Sequence, residues 1–286
     1  MNKPQTLASY EVRLNRVVDH IYSHLDEDLR LEDLAEVACL SPYHWHRIYT
    51  ALRGETVTAT IRRLRLARAA DRLANSAEPV DAVAGRAGYE AADAFVKAFK
   101  EAYGKTPTAY RSTGSHASFQ KATQAQDATG FPVEVVTLPP LRCAAVSHAG
   151  AYMHIDKAMA RLFSALSAQR LPLVQPTMMG VFFDDPDLVA VEHLRSQACT
   201  PIADNAVIAP PLEAAVLRGS AYARLRYTGP YADMKGAYRW LLGAWLPQSN
   251  READDAPVFE AYLNSPVDVP PTQLRTDIHL PLRDRA

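Results

Sequence analysis

The sequence predicts two domains of different class: an all-α domain of tandem helix-turn-helix units, followed by an α+β domain built from a duplicated unit. Three observations lead there. Residues 1 to about 113 place apolar side chains at helical spacing only, the stretch from 131 to 286 changes to short β-rich runs around two helical segments, and each half repeats internally.

The 286 residues suit one large or two ordinary domains. Hydrophobic residues at 48% and charged residues at 22% are ordinary globular proportions, which excludes a disordered or collagen-like chain. Cys39, Cys143 and Cys199 offer neither a disulfide framework nor zinc-ligand spacing, so no metal and no cofactor is expected and a reducing cytoplasm fits. The opening residues lack an apolar signal core, and no apolar run approaches the roughly 18 residues of a membrane span, so no membrane partner is expected. The first 115 residues carry 16 Lys+Arg against 15 Asp+Glu. Neither half is a polycation, and any nucleic-acid contact has to come from local arrangement of charge.

In the front half, Val17, Ile21 and Leu25 mark one helix, Leu31, Leu34, Ala35 and Ala38 a second, Ile61, Leu64 and Ala67 a long one, and Phe95, Ala98 and Phe99 a later one. Two copies of one unit lie about fifty residues apart. Ala35, Cys39 and Leu40 correspond to Ala84, Gly88 and Tyr89, Arg47 and Tyr49 to Lys97 and Phe99, and GETVTAT (54 to 60) to GKTPTAY (104 to 110). Each copy has helix-turn-helix arithmetic, with Ala35 or Ala84 where the partner helix packs closely. The turn asks for a positive φ, which Gly88 takes freely and Cys39 only at a cost. Ser41 stands at an N-cap with Pro42 at the first helical position, where no donor is lost.

Between the units runs VTATIRRLRLARAADRLAN, whose nineteen residues span roughly 28 Å as a helix. Successive major-groove faces recur about every 34 Å, so one rigid helix sets two readers into adjacent grooves. Arg62, Arg63, Arg65, Arg68 and Arg72 are offered either to phosphates or to an exposed, solvated face. Trp45, Tyr49, Phe95 and Phe99 keep helical spacing and belong to the core rather than to a single-strand stacking platform. His44 and His46, two apart on a helix, diverge and are not a metal pair. Residues 114 to 130, GSHASFQKATQAQDATG, are small, polar and aperiodic, and read as a linker between domains at 1–113 and 131–286.

In the rear half, Gly150 and Tyr152 match Gly229 and Tyr231, Ala158 matches Ala237, Leu162 matches Leu241, and MMGVFFDDP (178 to 186) resembles VFEAYLNSP (258 to 266). Ligand pockets favour the seam between such copies. Strand alternation puts Glu260 on one face with Val258 and Tyr262, opposite Phe259, Ala261 and Leu263. A carboxylate on that face must pair, protonate or await a cation if it is buried, and is unremarkable at a solvated edge.

Residues 88 to 111, GYEAADAFVKAFKEAYGKTPTAYR, follow nearly end to end the signature of AraC-type transcription regulators, and the front half resembles their DNA-binding domain over about 12 to 112. The resemblance implies seven helices, with recognition helices at roughly 42 to 53 and 91 to 103. It implies double-stranded DNA as partner, with Tyr43, His46 and Arg47 of the first and Ala92, Asp93 and Lys97 of the second facing bases. Arg62 and Arg63 are assigned to phosphates. Arg47 suits guanine O6 and N7. Ala92 and Asp93 stand where family members often carry polar donors, and a carboxylate there accepts from cytosine or repels phosphate. Action through RNA polymerase is implied by the family alone.

The rear half resembles GyrI-like effector-binding domains over about 131 to 284, through PVFEAYLNSP, LRTDIHLPLR, TGPYADMKGAYRWLLGAWLP and FDDPDLVAVEHLRSQA. That likeness implies paired βαββ units around a groove for a hydrophobic, often cationic effector, with Glu260 at its glutamate position. Around it the expectation places Tyr231, Tyr262, Phe182, Trp245, His148 and Tyr152. Trp240 and Trp245 are five apart on one helix, so at most one faces the groove. Phe183 stands where a tyrosine is usual. The domain order resembles Rob-type regulators. Neither a nucleophile–base–orienter set nor a metal constellation is present in the sequence, so the expectation is a ligand-responsive transcription regulator and not an enzyme. A drug-sequestering or hydrolysing GyrI-like protein, or a protein-contact domain, is the alternative.

Overall fold

The computed structural model describes residues 3–171, 173 and 177–283, without the side chains of residues 3–6, 8 and 43. The front half forms α1 (Lys3–Ser23), α2 (Leu31–Val37), α3 (Pro42–Arg53), α4 (Val57–Asn75), α5 (Val80–Arg86), α6 (Ala92–Tyr103) and α7 (Pro107–Thr113). The two units have separate cores. Leu14, Val17 and Ile21 of α1, with Leu25 just beyond it, close on Leu34, Ala35, Trp45 and Tyr49. Phe95, Phe99, Tyr103 and Tyr110 close on Val83 and Ala84. α4 serves both, with Val57, Ile61 and Leu64 in the first and Leu66, Ala69, Ala70 and Leu73 in the second. It is therefore the rigid spacer that its unbroken helical pattern predicts.

The repeat is visible in the turns. Leu40 N–H donates to the Ala35 carbonyl and Tyr89 N–H to the Ala84 carbonyl, both at 3.1 Å. Cys39 sits at φ +50° and Gly88 at φ +79°, so the first turn carries the backbone strain that the glycine of the second avoids. Among the described residues no helix is long and apolar enough to cross a membrane.

The expected linker contains a helix, α8 (Ser115–Gln124). Only His116 and Phe119 of it are buried, which is why its sequence shows no amphipathic period. Tertiary contact holds it instead. Phe119 stacks on Phe131 at 3.8 Å, and the Trp240 indole N–H donates to the Asp127 carbonyl at 2.8 Å.

The rear half comprises β1 (Val133–Leu138), β2 (Leu141–Ala149), α9 (Asp156–Gln169), β3 (Met178–Phe182), β4 (Arg195–Pro201), β5 (Glu213–Leu217), β6 (Ser220–Thr228), α10 (Met234–Trp240), β7 (Val258–Tyr262) and β8 (Arg275–Leu282). A π-helical turn, Leu241–Trp245, continues α10. All eight strands form one antiparallel sheet in the order β1-β6-β8-β7-β3-β4-β2-β5. The two copies meet at the central β3–β7 pair, and each lends its first strand, β1 or β5, to the far edge of the other. Gly150 (φ +111°) and Gly229 (φ +146°) open matching 3-10 turns, Tyr152–His154 and Tyr231–Asp233. On one sheet face α9 buries Ala144, Val146 and Ala198, while α10 buries Leu225, Ile278 and Leu280. The other face has its own core of Cys143, Met179, Val181, Cys199, Tyr222 and Phe259.

Candidate functional site

Glu260 lies on the central strand β7, 7% exposed, on the sheet face covered by α10. As alternation requires, Phe259 and Ala261 point into the opposite core. Its carboxylate is held by two phenols: Tyr238 donates to Oε1 and Tyr262 to Oε2, each at 2.8 Å. Burial pushes Glu260 up to about 7, against the two hydrogen bonds, which favour the ionised form. Burial and the Glu260 charge likewise raise Tyr238, Tyr262 and Tyr231 above the ordinary tyrosine value. Tyr231 meets Tyr262 edge to face at 5.6 Å. Gly180 of β3 pairs with Glu260 across the strand boundary, and a Cβ there would lie 2.9 Å from the Tyr262 hydroxyl. The glycine leaves room for the phenol that holds the acid.

The other expected residues divide between the two copies. Tyr152 packs edge to face on Phe182 at 4.8 Å, mirroring Tyr231 on Tyr262, and its hydroxyl donates to the Asp184 carbonyl at 2.7 Å. His148 is half-buried, with Nε2 at 3.2 Å from the Ala151 carbonyl, and burial lowers its imidazolium. Trp245 is half-buried in the π-helical turn and packs against the core of Phe119, Trp240 and Leu241, which Tyr231 and Tyr238 also border. Trp240 is fully buried in the same core. Phe183 is exposed.

Sequence reasoning missed Tyr238. The signal was present: Tyr231 and Tyr238 are seven apart, two turns along one helical face. It also missed Asp156, at the start of α9, which accepts a hydrogen bond from Tyr22 of the front half. No motif announced that pairing, because its members are 134 residues apart.

On the front half, Arg47 on α3 is exposed, as are Ala92, Asp93 and Lys97 on α6. His46 is half-buried, and the Tyr43 side chain lies outside the described residues. Trp45, Tyr49, Phe95 and Phe99 are core, as their spacing predicts. The α4 arginines are largely committed within the chain. Arg65 donates to the Leu25 carbonyl at 3.0 Å and to that of Glu27 at 2.6 Å, Arg68 pairs with Asp26, and Arg72 pairs with Glu78 at 2.8 Å. Arg62, half-exposed, pairs with Glu101 on α6 at 2.7 Å. Arg63, likewise expected at a phosphate, is partly buried. It is bonded to Glu55 at 2.7 Å, and its charge acts on Tyr22 and Asp156 at the contact between the halves.

Comparison with known proteins agrees with both parts. Residues 131–283 match the GyrI-like small molecule binding domain. The chain belongs to the GyrI-like family. Residues 34–113 match a helix-turn-helix domain of the AraC type, so this GyrI-like chain carries a helix-turn-helix domain ahead of its small-molecule binding domain. It is 31% identical over 102 residues to the regulatory protein PocR of Salmonella typhimurium, covering 36% of this chain and 34% of PocR. It is 35% identical over 102 residues to the HTH-type transcriptional regulator YbfP of Bacillus subtilis, covering 36% and 35%. The GyrI-like chain thus spans about a third of the length of these curated relatives. It covers 70% of the probable transcriptional regulator YgiV of Escherichia coli, at 32% identity over 115 residues, or 39% of this chain. The cryo-EM structure of the EcmrR–DNA complex in EcmrR-RPo shares the fold over 90% of this chain and all of that one, with a TM-score of 0.50 at 11% identity.

Proposed function

We propose that the protein is a sequence-specific, DNA-binding transcription regulator whose rear domain binds a hydrophobic aromatic cation at Glu260. The observation that carries this reading is a buried carboxylate whose solvation has been replaced by two phenolic hydroxyls, on a face lined by further aromatic rings. Ionising Glu260 there is costly without a positive partner. A cation supplies that partner and gains contact with the π-faces of Tyr231 and Tyr262, each worth about 0.5 to 2 kcal/mol depending on desolvation. Tyr152 and Phe182 extend the aromatic lining into the other copy. The tandem readers α3 and α6, held by α4, support occupation of two adjacent major grooves by one chain. The likeness to PocR, YbfP and YgiV supports a regulatory role.

The test is a calorimetric titration of the full chain with tetraphenylphosphonium and with neutral triphenylphosphine oxide. Glu260→Gln keeps the shape and removes the charge, so it should weaken the cation far more than the neutral compound. Equal losses would reduce Glu260 to a packing residue.

A further inference from the structure

The two helix-turn-helix units are tied to the two sensor copies by separate contacts. The first unit rests on α9: Tyr22 donates to Asp156, Arg161 pairs with Asp19 at 2.6 Å, and Ser164 donates to Glu11 at 2.7 Å. The second unit rests on the 3-10 turn Tyr231–Asp233, and each residue of that turn has a distinct partner. Tyr231 lies edge to face on Tyr262, whose hydroxyl holds Glu260. Ala232 inserts its side chain into the second unit's core beside Leu73, Tyr103 and Tyr110, and its carbonyl accepts from the Asn75 amide at 3.1 Å. Asp233, 1% exposed, accepts from the Tyr110 hydroxyl at 2.6 Å, from Ser115, and from His116 Nδ1 at 2.8 Å.

We propose that the Tyr231–Asp233 turn is the relay by which occupancy of the Glu260 site reaches the second helix-turn-helix unit, so that effector binding and docking of that unit on the sensor oppose one another. This rests on the reading of Glu260 as the effector's carboxylate. Glu260 is 7% exposed with a phenol on each oxygen, so a cation reaches the carboxylate only by moving at least one of them. A displaced Tyr262 pushes on Tyr231, the first residue of a turn too short to absorb the shift. The displacement arrives at Ala232 and Asp233, where it disturbs the end of α4 and the α7–α8 junction. The first unit, held on α9, is left in place. The relative setting of the two DNA readers therefore changes, and linkage requires that loosening the second unit also strengthens effector binding.

Two measurements on the full chain without DNA test this. Gly180→Ala sets a methyl 2.9 Å from the Tyr262 hydroxyl without any ligand, and also 3.0 Å from Ile155 and Phe182, so Phe182→Leu with Gly180 intact serves as the control for packing on that side. Amide hydrogen exchange should then rise about fivefold or more in residues 73–76 and 107–117, while residues 14–22 of α1 stay unchanged. Separately, Tyr110→Phe and Asn75→Ala should each tighten tetraphenylphosphonium binding by about fivefold. Exchange that is unchanged, or that rises evenly along the chain, overturns the relay, and so does an unchanged affinity in both variants. If tetraphenylphosphonium fails to bind the wild-type chain, the cation reading has failed, and the ligand-free exchange result decides the relay by itself.

Discussion

Gly180 faces Glu260 across the β3–β7 boundary, the seam where the two copies of the duplicated unit meet. The duplicated strands therefore differ at their point of contact, one carrying an acid and the other no side chain. An alanine at 180 would meet the Tyr262 hydroxyl at 2.9 Å and both Ile155 and Phe182 at 3.0 Å. Gly180→Ala should cost about 1 to 3 kcal/mol of stability through overpacking. Urea unfolding monitored by tryptophan fluorescence measures it, and an unchanged midpoint would mean that the site has slack.

Glu260 should make the free protein less stable as pH rises. Its acid form is preferred in the folded state, so the folded chain binds more protons than the unfolded chain between the ordinary value of 4.5 and about 7. Stability is full below 4.5 and falls across that interval, by a ceiling of about 3 kcal/mol. Glu260→Gln removes the penalty. At pH 8 it should unfold at higher urea than wild type while binding cations less well, and a midpoint below wild type would contradict the cost assigned to the carboxylate.

His116 should govern a second pH interval. Its Nδ1 faces the Asp233 carboxylate and its Nε2 the Arg111 carbonyl at 3.0 Å, two groups that only accept, so both ring nitrogens carry protons. Burial by itself lowers the imidazolium, but the bond to Asp233, its charge and the Arg111 carbonyl raise it above 6.5. Burial raises Asp233, and the bonds from His116, Ser115 and Tyr110 override it to hold that acid below 3.8. Docking through this pair is complete below about 6.5 and weakens as pH climbs through the folded value of His116, and on the acid side it fails as pH falls through that of Asp233. In a Glu260→Gln background, the protection factors of residues 107–117, with the intrinsic base-catalysed rise divided out, should fall above neutrality, and His116→Gln should flatten that fall. A pH-independent profile with His116 intact would refute the pair's role.

Arg47 and Arg63 should behave oppositely. Arg47 is exposed on α3, and, under the proposed DNA-binding function, Arg47→Ala should cost about 1 to 3 kcal/mol at a selected DNA site and relax preference at one base position. Arg63 is held by Glu55. Arg63→Ala should lower folding stability by about 1 to 3 kcal/mol through the partner it leaves behind and leave the salt dependence of DNA binding unchanged. Fluorescence anisotropy across a salt series separates the two. A shallower salt slope for Arg63→Ala would return that residue to the phosphate contacts.

Local pattern by itself determined the helical front half, its tandem units, the α4 spacer, the core assignment of Trp45, Tyr49, Phe95 and Phe99, and the face on which Glu260 lies. Each of these follows from a period of 3.6 or 2 residues, or from a turn's demand for positive φ at Cys39 and Gly88, and such constraints are written within a few residues. Only the tertiary structure decided what the charged and polar groups do. Arg65 turns inward because the Leu25 and Glu27 carbonyls, about forty residues away, reach it, and Arg68 meets Asp26 in the same way. α8 exists because Phe131 and Trp240 cover Phe119. Tyr238 joins Glu260 from α10, and that helix continues as a π-helical turn that no residue pattern announced. A side chain's hydrogen-bond partner is fixed by where the chain returns in space, and Tyr22 with Asp156, or Tyr110 with Asp233, are separated by more than a hundred residues before they meet.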